Sequence, residues 1–316
     1  MKALTVNQVL DLFTEEERYV KNSTAEITDA VAIDKIGEVD QRQKISWVSD
    51  SNCSKVDSKN LNLALLVLTK KSYEVLKHSN SNFLVVENPR AAFFKIIKTL
   101  FTKGKRENKI ENSAFVHHNA SVGNNCYIGH GVIIEENCMI GDYCEILHNT
   151  CILADTKIGS YVTIGCNNTI GNYGFGYEKN EAGEYVVLDH IGNVIIHDYV
   201  EIHNNTCIDR GVMGSTEIFE NVKIDNLVHI AHGVVIEKNS LIIANAMIAG
   251  SSLVGKNSWI APSVSIKNKI KIAPNTMTGI GAVVLKDTES DTTYIGNPAI
   301  TMEEFKQRAA IIKKLK

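Results

Sequence analysis

The sequence predicts a β-solenoid, a parallel β-helix of hexapeptide repeats, with a small α/β domain before it and a short helix after it. Three observations carry this. An aliphatic residue stands at every sixth position from Ile110 through Ile170, eleven in succession. The rhythm returns at Ile196, Ile202 and Ile208, slips by four residues, and runs again from Ile218 to Ile272. The residue four places after each aliphatic is small, as at Ala120, Cys126, Val132, Cys138, Cys144, Thr150 and Thr156. Finally, 316 residues hold only 4 prolines and 7% aromatics, which suits a stack of thin aliphatic layers better than a bulky core.

A period of six matches neither an amphipathic helix nor a single alternating strand. It matches flat faces one hexad long, three of which close a triangular coil of about 18 residues, each coil resting on the one below. The aliphatic residue points inward, the small residue fits beside it, and Gly or Asn takes the corner dihedrals that other residues resist. Cys126 and Cys144 lie 18 apart and are expected to stack inside the prism as small core residues. Two interruptions break the rhythm. Residues 174–193 are rich in Gly and charge and read as a projecting loop or hairpin; the four-residue slip falls near 212–215. Excursions of this kind are where a solenoid places function.

Residues 1–101 lack the period. A short helix is expected over residues 5–13, buried strands over 61–69 and 82–86, and a helix opening at Asn88-Pro89 with Pro at its first position. Residues 102–109, polar with a Gly, read as a linker; 110–300 form the prism. Residues 301–316 open with Thr301-Met-Glu-Glu304, a capping box, and end in positive charge.

Composition narrows the function. A net charge of −3 supplies no field for nucleic acid. No run of 18 apolar residues is present, so no transmembrane segment is expected. The first twenty residues carry acids where a signal peptide needs an apolar run, and seven cysteines without a CxxC pair read as reduced thiols, so a cytoplasmic location is expected. The same cysteine pattern gives no metal site.

Among the solenoid histidines, which include His130, His148, His203 and His229, His232 sits at a corner in Ile230-Ala-His-Gly, one hexad after Asp225. A carboxylate paired with an imidazole holds one tautomer and raises its basicity, and an imidazole near its ordinary pKa of about 6.5 takes a proton from an attacking amine. Gly250 lies one 18-residue coil beyond His232.

The segments Cys207-Ile-Asp-Arg-Gly-Val, Lys223-Ile-Asp-Asn-Leu-Val-His-Ile-Ala-His232 and Met247-Ile-Ala-Gly-Ser-Ser, with Gly174-Phe-Gly-Tyr177, closely resemble the UDP-3-O-(3-hydroxyacyl)glucosamine N-acyltransferases of lipid A biosynthesis, over nearly the whole chain. The resemblance implies a left-handed coil and a homotrimer with active sites between neighbouring prisms. It implies His232 as general base, Asp225 as its supporting carboxylate, Gly250 N–H as oxyanion donor and Asn226 as an ordering residue. Phe175 and Tyr177 would contact substrate from the interruption. The N-terminal domain would hold the uracil of a UDP-aminosugar on Trp47, with Asp50 standing where the family has an Asn; an anion has no donors for uracil carbonyls. The family carries a further histidine two coils above the base, where this chain has Asn268 and Lys269; Lys269 is a candidate phosphate contact. Ala282 and Val283 are candidates for lining a lipid groove, though a core role fits them better. The donor is expected to be a 4'-phosphopantetheine thioester on acyl carrier protein, with no resident cofactor. The rivals are an acetyl-CoA-dependent sugar-nucleotide N-acetyltransferase of surface-polysaccharide synthesis, a metal-dependent hydratase using His117, His130 and His148, and a non-catalytic scaffold.

Overall fold

The computed structural model describes residues 3–13, 16–35, 40–101, 106 and 108–315, in two compact units, Met1–Lys105 and Arg106–Lys316. Most of the expected linker, Thr102–Lys105 and Glu107, lies outside the described residues, and Lys109 already stands in the first strand of the second unit.

The first unit is built on a five-stranded sheet in the order Glu17–Tyr19, Phe83–Val85, Leu65–Leu68, Lys44–Trp47, Asp29–Ala30. The first pair is antiparallel and the rest are parallel. Leu65–Leu68 is buried throughout, as a central strand covered on both sides requires. Helix Val6–Leu10 starts at a capping box between Thr5 and Gln8. Helix Pro89–Phe101 begins with its proline, and helix Lys70–Leu76 is capped by the Thr69 hydroxyl. The periodicity gave no sign of the short helices Asp50–Cys53 and Lys70–Leu76, because neither spans enough turns to show a pattern.

The second unit is the solenoid. Two-residue strands stack into three parallel sheets, one per face. Face 1 starts at Lys109–Ile110, face 2 at Phe115–Val116 and face 3 at Ser121–Val122. Partner residues are 18 apart, as in Tyr127↔Glu145 and Ile128↔Ile146. The second residue of each strand points inward and the first outward, so Ile128, Ile134, Ile140, Ile146 and their equivalents form one continuous buried column set. Removing such an isoleucine side chain costs about 2–5 kcal/mol. The Cys126 and Cys144 thiols stack as expected, with Cys144 N–H donating to Cys126 Sγ at 3.4 Å. Burial pushes the Cys138 thiol up to about 11 and the Cys144 thiol up to about 12, so both stay protonated.

Each corner contains a residue with φ near +60°, three places after the inward aliphatic. Asn fills many of these, but Tyr143, Tyr161, Tyr199, Leu227 and Lys269 do so as well. The inter-coil hydrogen bonds hold these residues in a conformation that costs a bulky side chain about 1–2 kcal/mol.

The two interruptions fall where expected and meet. Across the first, partners are 38 apart (Lys157↔Ile195); across the second they are 22 apart (Asn193↔Ser215, Ile195↔Glu217). The first excursion ends in an exposed hairpin, Tyr177–Lys179 against Tyr185–Val187. The second packs under its base, where Ile191 N–H donates to Val212 O at 2.9 Å and Gly192 N–H to Gly211 O at 3.1 Å. A Cβ on Gly192 would fall 2.0 Å from Gly214 O, so only glycine allows this approach. Helix Met302–Lys314 closes the chain behind the Thr301/Glu304 capping box and is exposed along its length.

Candidate active site

The edge where face 2 turns into face 3 collects the unusual residues. Both excursions leave the coil there, after Ile170 and after Ile208, and the next three turns carry His232, Gly250 and Lys269. His232 is half-buried; its backbone carbonyl accepts from Ser251 N–H at 2.9 Å. Its imidazole lies flat against Gly250, where a Cβ would stand 2.6 Å from both Cε1 and Nε2. Glycine at 250 is therefore a steric condition for the position of the ring.

The corner amides divide into capped and open ones, and among the described residues Gly250 is one of the open ones, as are His148, Asp198, Glu220 and Lys238. At the equivalent second corner position, the N–H groups of Asn124, His130, Ser160, Cys166 and Asn204 are each capped by a side chain from the coil above. Among the described residues Gly250 N–H has no acceptor, and neither do the ring nitrogens of His232 have a partner. A buried backbone donor left open beside an unpaired imidazole is the pair of groups that acyl transfer requires. Burial, then the neighbouring His190, hold the His232 pKa below its ordinary value, so the ring is neutral and able to accept a proton.

Lys269 occupies the corner one coil higher, with its amide on Gly250 O at 3.0 Å and its side chain exposed. Gly174 presses on the other side of His232: a Cβ there would stand 3.0 Å from His232 Cδ2 and 3.2 Å from Asp209 Oδ2. Phe175 and Tyr177 pack on each other in the projecting hairpin, centroids 4.9 Å apart, and Phe175 is 89% exposed. His190 completes the group, edge-on to His232 with centroids 5.6 Å apart and buried between it and Tyr173.

Asp225 and Asn226 are not brought to His232 within the chain. They sit on the edge between face 1 and face 2, a whole face away, because the stretch from 225 to 232 includes the complete face-2 strand His229–Ile230. There they cap coils: Asp225 accepts from Asn226 N–H at 2.7 Å and Ala244 N–H at 3.2 Å, and Asn226 accepts from Asn204 N–H at 3.0 Å. The carboxylate beside His232 in the same chain is Asp209, from the Cys207-Ile-Asp-Arg run. The 18-residue ladder was the signal for it: Asp209 follows Ile208 on the rung below Ile230, but the four-residue slip hides that alignment in the sequence.

In the first unit, Trp47 lines a cleft of about 380 Å³ with Ala30, Ile33, Ser49, Asn52 and Phe93. Asp50 does not line it. Its carboxylate turns away to accept from the Thr69 hydroxyl and from the Ser72 hydroxyl at 2.7 Å, which hold its pKa below the ordinary value. The side-chain amide in the cleft belongs to Asn52, two residues further on. Among the described residues no three His, Cys, Asp or Glu side chains are grouped to hold a metal; His130 and His148 stack with centroids 5.6 Å apart, and His148 Nδ1 accepts from His130 N–H.

Similar chains are known. This one is 35% identical to a UDP-3-O-acylglucosamine N-acyltransferase of Campylobacter lari, over 78% of this chain and 81% of that protein. It is 32% identical to one of Helicobacter pylori over 96% of this chain and 91% of that protein. The chain belongs to the UDP-3-O-acylglucosamine N-acyltransferase family. As a member it is an acyltransferase. A match at 36% identity with the Wolinella succinogenes member spans 50% of each chain, about half the length of that relative. The GMPPB C-terminal domain family matches residues 110–176, within the repeats. Among solved structures, a UDP-N-acetylglucosamine acyltransferase of Bacteroides fragilis aligns with TM-score 0.56 at 24% identity, over 63% of this chain and 78% of that one. Another from Campylobacter jejuni aligns with TM-score 0.56 at 22% identity, over 61% and 73%. These likenesses concern the fold, a left-handed β-helix.

Proposed function

We propose that this acyltransferase moves a 3-hydroxyacyl group from acyl carrier protein to the amine of a UDP-3-O-acyl-glucosamine-type sugar nucleotide in lipid A biosynthesis. The observation that carries this reading is the neutral His232 imidazole lying on Gly250, whose N–H is open. The sugar nitrogen attacks the thioester carbonyl carbon, and its proton passes to His232 as the C–N bond forms. Gly250 N–H donates to the oxyanion. The tetrahedral intermediate collapses with loss of the C–S bond, and the proton on His232 goes to the departing thiolate. No enzyme acyl intermediate is needed. Cys207 is a poor nucleophile for one, since burial and then Asp209 raise its thiol pKa.

A homotrimer with shared sites is supported by face 2. The first residues of its nine strands, from Phe115 and Ile133 to Ser265 and Val283, include no Asp, Glu, Lys or Arg. Faces 1 and 3 carry Lys109, Glu145, Lys157 and Glu217 at the same positions. Face 2 separates the edge of Asp225 from the edge of His232, so Asp225 would serve His232 only across copies. Exposed Lys267, Lys269 and Lys286 lie on the site edge above Gly250, a basic run suited to a pantetheine phosphate and an acidic carrier. Lys269 would then do with charge what a histidine does in relatives. The Trp47 cleft is assigned to uracil, with Asn52 supplying the amide that Asp50 does not. A cytoplasmic location belongs to the same reading.

The test is a donor competition on wild type and His232→Ala, between 3-hydroxyacyl carrier protein and acetyl-CoA. Expected are strong preference for the carrier-bound long chain and turnover lost in the variant. Preference for acetyl-CoA would support the N-acetyltransferase alternative, which the Asn268/Lys269 departure keeps in view. Full activity in His232→Ala would remove the base assignment.

A further inference from the structure

Two polar groups at the site edge lack hydrogen bonds among the described residues: the buried His190 Nε2 and the carboxylate of Asp209. Asp209 is 8% exposed, and no hydrogen bond reaches either carboxylate oxygen among the described residues. The nearest ring nitrogen is His229 Nε2 at 3.6 Å, beyond hydrogen-bond length. The adjacent Arg210 does not serve it: that guanidinium donates to Gly171 O at 2.6 Å and Ala154 O at 2.8 Å and covers Tyr173. A buried carboxylate without donors is costly unless a partner arrives from outside. Its position says which partner. The point where a Gly174 Cβ would stand is 3.2 Å from Asp209 Oδ2 and 3.0 Å from His232 Cδ2, so carboxylate and base border the same small space, and the absent Cβ keeps that space open.

We propose that Asp209 is the acceptor-binding carboxylate of this site, accepting hydrogen bonds from the amino group of the incoming aminosugar while His232 takes its proton. This rests on the acyl transfer proposed above. The groups facing Asp209 are Cys207 and His229 from the face-2 strands, His190 from the excursion and His232 from the next corner, while the Arg210 guanidinium is turned away. Near pH 7.5 the carboxylate, pushed up to about 6 by its burial, is ionised. The site then presents an anion to an ammonium or amine. The specificity follows: a hydroxyl in place of the amine presents one donor where the amine presents two or three.

The experiment is calorimetric binding, at pH 7.5 and without donor, of the UDP-aminosugar and of its analogue with hydroxyl in place of the amine. The expected wild-type preference for the amine is at least tenfold. In Asp209→Asn it falls to within threefold, with the uridine-dependent part of binding retained. Asp209→Ser, smaller and neutral, gives the same loss and covers the case in which the asparagine variant fails to fold. A wild-type preference below threefold, or one that survives in either folded variant, overturns the proposal. His232→Ala is measured alongside: it keeps the amine preference while losing turnover. Turnover retained there refutes the base assignment without touching Asp209, so the two failures are told apart.

Discussion

Two edges of the prism start from the same hexad and end differently. On the edge between face 3 and face 1, the left-handed corner position reads Tyr143, Tyr161, Tyr199, then Asn221, Asn239, Asn257, Asn275. The tyrosines stack at 4.9 and 5.0 Å, and each asparagine amide donates to the next coil, 3.0 Å from Asn221 to Asn239 and 3.1 Å from Asn257 to Asn275. No excursion leaves this edge, and its left-handed corner side chains pair with one another from coil to coil. On the edge between face 2 and face 3 the ladder is broken twice, and among the described residues the His232 imidazole, the Gly250 N–H and the Asp209 carboxylate make no hydrogen bond. The contrast teaches that it is the two breaks in the ladder, and not the repeat itself, that gather side chains without hydrogen bonds on one edge.

The sharpest way to break the comparison is to make one change on both edges. His232→Ala is expected to lower kcat by about a thousandfold, the range for loss of a general base, with the melting temperature nearly unchanged. His197→Ala, on the ladder edge, removes an imidazole that contacts Glu217 at 2.7 Å and stacks on Phe219, and is expected to change kcat less than threefold. Equal losses from both would mean that the edges are not functionally distinct. In wild type, the acidic limb of kcat/KM should fall below pH 6.5 if His232 is the base, because burial and His190 lower its pKa.

Glycines sharpen it next. At Gly250 a Cβ meets the side chain of His232; at Gly255, on the ladder edge, it meets backbone, Pro274 N at 2.6 Å and Ala273 C at 2.9 Å. Gly250→Ala should therefore displace the imidazole and lower kcat by about a hundredfold, since a misplaced base loses that much, while the fold holds. Gly255→Ala should instead lower stability by about 1–3 kcal/mol, the usual penalty of overpacking, in denaturant titration, with kcat of the folded fraction intact.

How much of this is legible in the sequence follows from where periodicity speaks. The inward column from Ile128 to Ile272, the stacked Cys126 and Cys144, both interruptions and the capped C-terminal helix could be read directly, because each depends on spacing along one coil; Ile110, at the end of the stack with no coil below it, is 49% exposed. The His232–Gly250 contact was readable as a multiple of 18. Asp225 was misleading because a one-hexad spacing along the chain is a step around the prism, from one edge to the next, and not a step up it. Asp209 and His190 were hidden because excursions of irregular length separate them from the rungs they join. Asp50 and Asn52 were beyond reach for another reason: only the fold of the first unit shows that Thr69 and Ser72 draw the carboxylate out of the Trp47 cleft.

A stability experiment tests the ladder itself. Asn239 donates to Asn257 at 3.3 Å, accepts from Asn221 at 3.0 Å and holds φ at 61°. Asn239→Ala removes both bonds and puts a less tolerant residue in the left-handed region. The expected loss is about 1–2 kcal/mol, seen as a lower denaturation midpoint with unchanged kcat. A change in kcat with no change in midpoint would reverse the roles assigned to the edges.

The smallest effect is opposite in sign and belongs to the site edge. Asp209 has a folded-state pKa raised to about 6, well above the usual carboxylate range, through burial. A raised carboxylate pKa means that the folded chain binds the proton more readily than the unfolded one. Its contribution is therefore destabilising above about pH 6, and it is relieved as pH falls from 6 toward 4. Asp209→Asn removes the buried charge while keeping the shape. It should raise the melting temperature by about 1–3 °C at pH 7.5, the shift expected for a gain of up to about 1 kcal/mol in a larger domain, and by less at pH 5, where the wild-type group is already largely neutral. On the ladder edge Asn→Ala loses stability and keeps activity; here a substitution is expected to gain stability and lose acceptor recognition. A melting temperature that falls equally at both pH values would mean that Asp209 is a structural partner of His229 rather than a carboxylate held ready for substrate.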